Sequence, residues 1–251
     1  EYKKQLFSLY KDNIIDQYYG LKIQYLYPFI SGQDFTYVPS PYLVINAVTE
    51  SMLNRITLGD GKLRRAIGKE VIEGYLYDIV SQLDSVTWVS PEIEYRKGKD
   101  KLLTSDVIAA EGDAVIFYDT KAITPSLKLR KFDAAEIEND VRIYAEDVIY
   151  NQVKNYLQGL FQLDKVYSKD NIYGIVVVLE DAVVSRKKVY EKVYALLEET
   201  ATLSEEEKNY ICSHIKVLPL RAIECMILQN TSLLPELKEQ LDKPEKWYDY
   251  T

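Results

Sequence analysis

The stretch Ser105-Asp106-Val107-Ile108-Ala109-Ala110-Glu111-Gly112-Asp113-Ala114-Val115-Ile116-Phe117-Tyr118-Asp119-Thr120-Lys121-Ala122 decides the fold. It reads as a β-hairpin: two β-rich arms flank a turn near Ala110–Asp113. Along the second arm, Val115, Phe117, Asp119 and Lys121 alternate with Ile116, Tyr118 and Thr120. Apolar residues on both faces mark a central strand, and one of those faces ends in Asp-x-Lys. Pairing Ala109 with Ala114 would set Asp106 opposite Phe117 and make Asp119 its diagonal neighbour, roughly 7–8 Å away at Cα. Two carboxylates at that spacing repel each other unless a cation lies between them. Magnesium suits such a site, because it takes oxygen ligands and retains water.

The flanking sequence supplies layers around this hairpin. A helix is predicted over Lys62–Leu83, then strands at Val86–Val89 and Glu92–Arg96. A long helix over 134–160 follows the hairpin. Ile172–Leu179 is an almost unbroken apolar run, as expected of a strand buried on both faces. Helices at 185–200 and 204–213, a short strand at Ile215–Leu218, and helices at 221–229 and 232–241 complete the chain. Before the core, residues 1–20 read as an amphipathic helix, Lys22–Ile30 as a strand and 42–57 as a helix. The expected class is α/β, a mixed β-sheet flanked by helices. Residues 1–61 would form an N-terminal extension, 62–180 the core, and 181–251 a helical addition to the same domain.

Two helical residues extend the candidate site. The apolar stripe of the first core helix is Ile72, Tyr75, Leu76, Ile79, Val80 and Leu83; Glu73 borders it, while Glu70 falls nearly opposite. On the long helix the stripe Val141, Ala145, Val148, Ile149, Gln152 and Tyr156 includes an amide. A buried amide without a partner costs roughly 1–3 kcal/mol, so Gln152 must bond something.

With these residues in hand, the chain resembles the PD-(D/E)XK nuclease superfamily, which includes restriction-endonuclease-like and RecB-type nucleases. The resemblance rests on Asp106 followed thirteen positions later by Asp119-Thr120-Lys121, on Glu73 within Gly68-Lys69…Glu73-Gly74-Tyr75, and on Gln152-x3-Tyr156, in that order. Ser105 stands where the family usually has Pro, and the second acid is Asp119, not the more frequent Glu. The resemblance implies a restriction-endonuclease-like core over about residues 62–180. It implies Mg²⁺ or Mn²⁺ held by Asp106, Asp119 and Glu73, with Lys121 assisting the attacking water. Gln152 and Tyr156 would position substrate or support the site, and the substrate would be nucleic acid, most naturally DNA. Lys128 and Arg130, with Lys131, lie just beyond the strand and could meet phosphates. Glu92 and Glu94 could join the acidic cluster, but the expected place for both is a neighbouring strand surface.

Composition narrows the alternatives. A net charge of −8 and a pI near 5.0 imply no broad basic surface, so a polyanion needs a local patch, a further domain or a partner to deliver it. The two cysteines, Cys212 and Cys225, have no pairing or zinc-site spacing and fit a reducing cytoplasm. The single histidine, His214, precedes an apolar strand and is expected to be structural, which excludes histidine-based triads and multi-histidine metal sites. Gly59-Asp60-Gly61-Lys62 lacks the spacing of a phosphate loop and reads as a turn and helix start. No run is long enough to span a membrane. Two other readings remain: a fold-retaining binding or scaffolding module without cleavage, and an enzyme that cuts RNA.

Overall fold

The computed structural model describes residues 29–38, 41–48, 60–121, 150–179, 203–229 and 231–239, with single positions 52, 56, 57, 135, 195 and 241. Its elements run β1 (Ile30–Ser31), β2 (Thr36–Tyr37), α1 (Pro41–Val48), α2 (Gly61–Ile67), a π-helical turn (Gly68–Glu73) and α3 (Gly74–Ser81). Strands β3 (Val86–Pro91), β4 (Glu94–Lys97), β5 (Asp100–Leu103), β6 (Val107–Glu111) and β7 (Ala114–Lys121) follow. Then come α4 (Tyr150–Leu157), β8 (Ile172–Val178), α5 (Glu205–His214), β9 (Ile215–Pro219), α6 (Leu220–Gln229) and α7 (Leu234–Glu239). The helix expected over 1–20, all but residue 195 of that over 185–200, most of the strand expected at Lys22–Ile30 and all but residue 135 of 134–149 in the expected long helix lie outside the described residues.

The main sheet has five strands in the order β3-β6-β7-β8-β9. β3, β6 and β7 are antiparallel neighbours, while β7, β8 and β9 run parallel. The expected α/β class, a mixed sheet between helices, is therefore what the chain adopts. β9 lies past residue 180, so the sheet itself extends into the stretch expected to be a helical addition.

Alternation along β7 builds both layers. Val115 and Phe117 pack with Tyr150, Val153 and Tyr156 of α4 and with Tyr210 and Ile211 of α5. Ile116 and Tyr118 face the other way, onto Leu76, Ile79 and Val80 of α3 and Ile223 of α6. Every residue of β8 is buried, which accounts for its unbroken apolar run. α5 begins at a capping box in which Ser204 and Glu207 satisfy each other's backbone amides. Among the described residues, no helix is long and apolar enough to cross a membrane.

The hairpin register differs from the sequence expectation by two residues. Glu111 pairs with Ala114 and Val107 with Tyr118, so the turn is only Gly112-Asp113, with Gly112 at φ 59°. Glycine adopts that conformation without the Cβ clash other residues meet. A shift of two preserves which face each strand side chain occupies, but it gives Phe117 to Ile108 and leaves Asp106 just ahead of the first paired residue, Val107.

Candidate metal centre

Three strand ends meet at one rim of the sheet. β3 pairs Pro91 with Val107, and β6 pairs Val107 with Tyr118. Glu92 directly follows β3, Asp106 directly precedes β6, and Asp119 lies near the end of β7. The helical layer adds a fourth carboxylate. Oxygens of Glu73, Glu92 and Asp106 lie within 4.8 Å of one another, and all three residues are half-buried. Glu92, expected to stay on a strand surface, thus joins the cluster, because antiparallel pairing of β3 with β6 carries it to Asp106. Glu94, one turn of the pleat further, pairs instead with Lys101 at 3.0 Å on exposed surface.

Asp106 is held on both sides. Its Oδ2 accepts the Thr120 amide at 2.6 Å and the Thr120 hydroxyl at 2.7 Å, which ties the head of β6 to the end of β7. The residue before it, Ser105, is fully buried and donates to Gln152 Oε1 at 2.7 Å. Gln152 therefore has the partner its burial demands, and it reaches the cluster through Ser105. Thr120 is a positioning residue the sequence reading passed over, since a strand threonine between two charged residues carries no distinctive signal.

Asp119 and Lys121 project from the same face of β7, and Lys121 Nζ lies 2.5 Å from Asp119 Oδ1. That face is the α4 layer, whereas Glu73 arrives from the helix packed on the opposite layer. The site sits at the rim because only there can groups from both layers meet. Asp119 neighbours the cluster but is not one of the three carboxylates that converge within 4.8 Å.

The electrostatics record the crowding. Burial and then Asp106 raise the Asp119 carboxyl to about 6, against the pull of Lys121. Glu73 rises to about 7, first through desolvation, then through Asp106 and Glu92, with Lys69 opposing. Two carboxyls titrating near neutrality in one cluster call for compensating positive charge. Lys69 supplies some: it lies on the π-helical turn, 3.0 Å from Glu92, and remains largely exposed. Glu73 is half-buried and Glu70 exposed, as their positions around the apolar stripe predict.

The other singled-out residues fall elsewhere. Tyr156 does not reach the carboxylates. Its hydroxyl donates to the Lys165 carbonyl at 3.3 Å and accepts the Tyr167 amide at 2.8 Å, and its ring packs edge-on against Phe117. Lys128 and Arg130 lie outside the described residues. His214 stacks between Tyr210 and Tyr173, with ring centroids 4.2 and 5.3 Å away.

The donor set suits a hard cation. All the converging ligand atoms are carboxylate oxygens, which favour magnesium or manganese over zinc. Oxygens bound to such an ion at about 2.1 Å are about 3 Å apart when adjacent and about 4.2 Å apart when opposite, so the three carboxylates, within 4.8 Å of one another, would have to draw together around it.

No protein-family model matches this chain, and no curated protein matches it. Among solved structures, the chain is similar to the small subunit of the heterodimeric restriction endonuclease R.BspD6I, with a TM-score of 0.35 and 11% identity, covering 70% of this chain and 84% of that one. A likeness of that size carries no argument about chemistry, which rests on the side chains above.

Proposed function

We propose that this chain is a magnesium- or manganese-dependent nuclease that hydrolyses phosphodiester bonds, most naturally in DNA. The observation that carries the reading is the convergence of Glu73, Glu92 and Asp106 beside the Asp119–Lys121 pair. Asp106, Glu73 and Glu92 would hold the cation, with Asp119 as a further oxygen ligand on the Lys121 side. When bound, the cation would supply Lewis acidity to the attacked phosphate and charge compensation to the carboxylates.

The protein's own groups account for the rest. Lys121 places an ammonium beside Asp119, where it would orient the attacking water and stabilise charge developing on the phosphate. Thr120 fixes Asp106 through two hydrogen bonds, and the buried Ser105–Gln152 bond secures the chain just before it. Preorganising that carboxylate spares the site the cost of ordering it during the reaction.

The test is calorimetric titration of the full chain with Mg²⁺ and Mn²⁺, together with cleavage of supercoiled DNA. Asp119→Ala should weaken cation binding and stop cleavage. Lys121→Ala should stop cleavage while the cation still binds. If no divalent ion binds at millimolar concentration, with or without DNA, the scaffolding reading takes precedence.

A further inference from the structure

The chain between Glu92 and Asp106 leaves the site and returns to it. Its ascending arm is β4 and its descending arm β5, joined by a tight turn at Gly98-Lys99, with Gly98 at φ 66°. Glu92 and Asp106 are thus the two feet of one hairpin, and both belong to the carboxylate cluster. A clasp closes the base: the Thr104 amide donates to the Ile93 carbonyl at 3.0 Å, and the Ile93 amide donates to the Thr104 hydroxyl at 2.8 Å.

One face of the hairpin is fastened down. Tyr95 is buried against Phe161, and Asn155 of α4 both donates to the Tyr95 hydroxyl at 2.8 Å and accepts from Lys97 Nζ at 3.0 Å. Leu102 packs against the same core. The outward face carries Arg96 directly opposite Lys101, both exposed. Like charges facing each other across a pair of strands are destabilising, and exposed Glu94 relieves only one of them. Between Glu94 and Leu103 there are four basic side chains against two acidic ones, in a chain of net charge −8. A positive projection that costs folding stability and rises from an acidic cluster is what a polyanion would require.

We propose that the β4–β5 hairpin grips the phosphate backbone of the nucleic-acid substrate through Arg96, Lys99 and Lys101. This rests on the nuclease reading above and adds the surface on which the substrate lies. Four residues of strand put the turn about 13 Å from the base. By helical rise that is about four nucleotides from the bond being cut. Contacts of this kind fix register and carry no base sequence, so the hairpin would bind without regard to sequence.

The experiment uses the full chain in a Lys121→Ala background with magnesium present and a fluorescent DNA duplex as probe. Anisotropy is read across a salt series. Adding Arg96→Ala, Lys99→Ala and Lys101→Ala together should lower affinity at least tenfold. It should also reduce the slope of log affinity against log salt by about 2–3, since each phosphate contact contributes about 0.9. Lys97 is kept because it anchors the hairpin to Asn155. Magnesium binding by calorimetry should be unchanged, which separates lost substrate contact from a damaged site. A charge-preserving version (Arg96→Lys, Lys99→Arg, Lys101→Arg) should retain the affinity. If the alanine variant binds with the parent's affinity and salt slope, the hairpin assignment is overturned and the nuclease reading stands. If the parent binds no duplex with magnesium bound, both are overturned.

Discussion

Replacing Asp119 by Asn should stabilise the metal-free protein in a way that depends on pH. The carboxyl's pKa is raised from 3.8 to about 6, mainly by burial and then by Asp106. The folded state therefore holds this proton more tightly than the unfolded chain does, and stability falls as pH rises from about 4 to about 6. Above that window the deficit is constant, because both states are ionised. Its full size is about 3 kcal/mol for a group this buried. The attraction of Lys121 is already contained in that figure, as one of the causes that oppose the rise. Asn keeps the side chain's volume and removes the titration. Thermal melts of both proteins in EDTA, at about pH 4 and about pH 8, should thus diverge. On moving to the higher pH, the variant should gain on the wild type by roughly 6–12 °C, at 2–4 °C per kcal/mol for a chain of this size. Magnesium should narrow the gap at the higher pH. At ten times its dissociation constant it would stabilise the wild type by about 1.4 kcal/mol, and the variant by less. A difference between the two proteins that does not change with pH would refute the reasoning, because it would mean that Asp119 titrates normally in the fold.

Other outcomes follow from the same geometry. Gln152→Ala leaves the fully buried Ser105 hydroxyl without its acceptor and should cost about 1–3 kcal/mol in chemical denaturation. Cleavage should also slow, because Asp106 is the next residue. Glu92→Gln should weaken magnesium binding in calorimetry and should not lower the melting temperature in EDTA, since its ion pair with exposed Lys69 is largely screened and its loss relieves repulsion with Glu73. Tyr118→Phe should be neutral or stabilising by up to about 1–2 kcal/mol: the hydroxyl is buried without a hydrogen-bond partner among the described residues, so denaturation should show no loss. Ser204→Ala should cost about 1 kcal/mol through loss of the capping box of α5, read in the same assay.

Side-chain periodicity alone determined a good deal of this molecule. Alternation along Ala114–Lys121 placed Asp119 and Lys121 on one face, and the apolar run from Ile172 marked a strand covered on both sides. Helical spacing separated Glu73 from Glu70 and put Gln152 where it needed a partner. These are local properties, fixed by backbone geometry over a few residues, so any sheet and helix built from this sequence must obey them. Which residues then become neighbours is a different matter, because it depends on pairing between distant segments. The two-residue turn at Gly112-Asp113 set Ile108 opposite Phe117 and left Asp106 to bond Thr120, although both registers satisfy the same facing rule. The antiparallel seat of β3 beside β6 brought Glu92 into the cluster from a stretch that reads as ordinary strand surface. Tyr156, on the same helical stripe as Gln152, was drawn away to the backbone at Lys165 and Tyr167. Only the tertiary structure could bring Glu73 from one layer and Asp119 from the other to a common rim. That meeting depends on how far each strand runs before the sheet ends, a length no local pattern encodes.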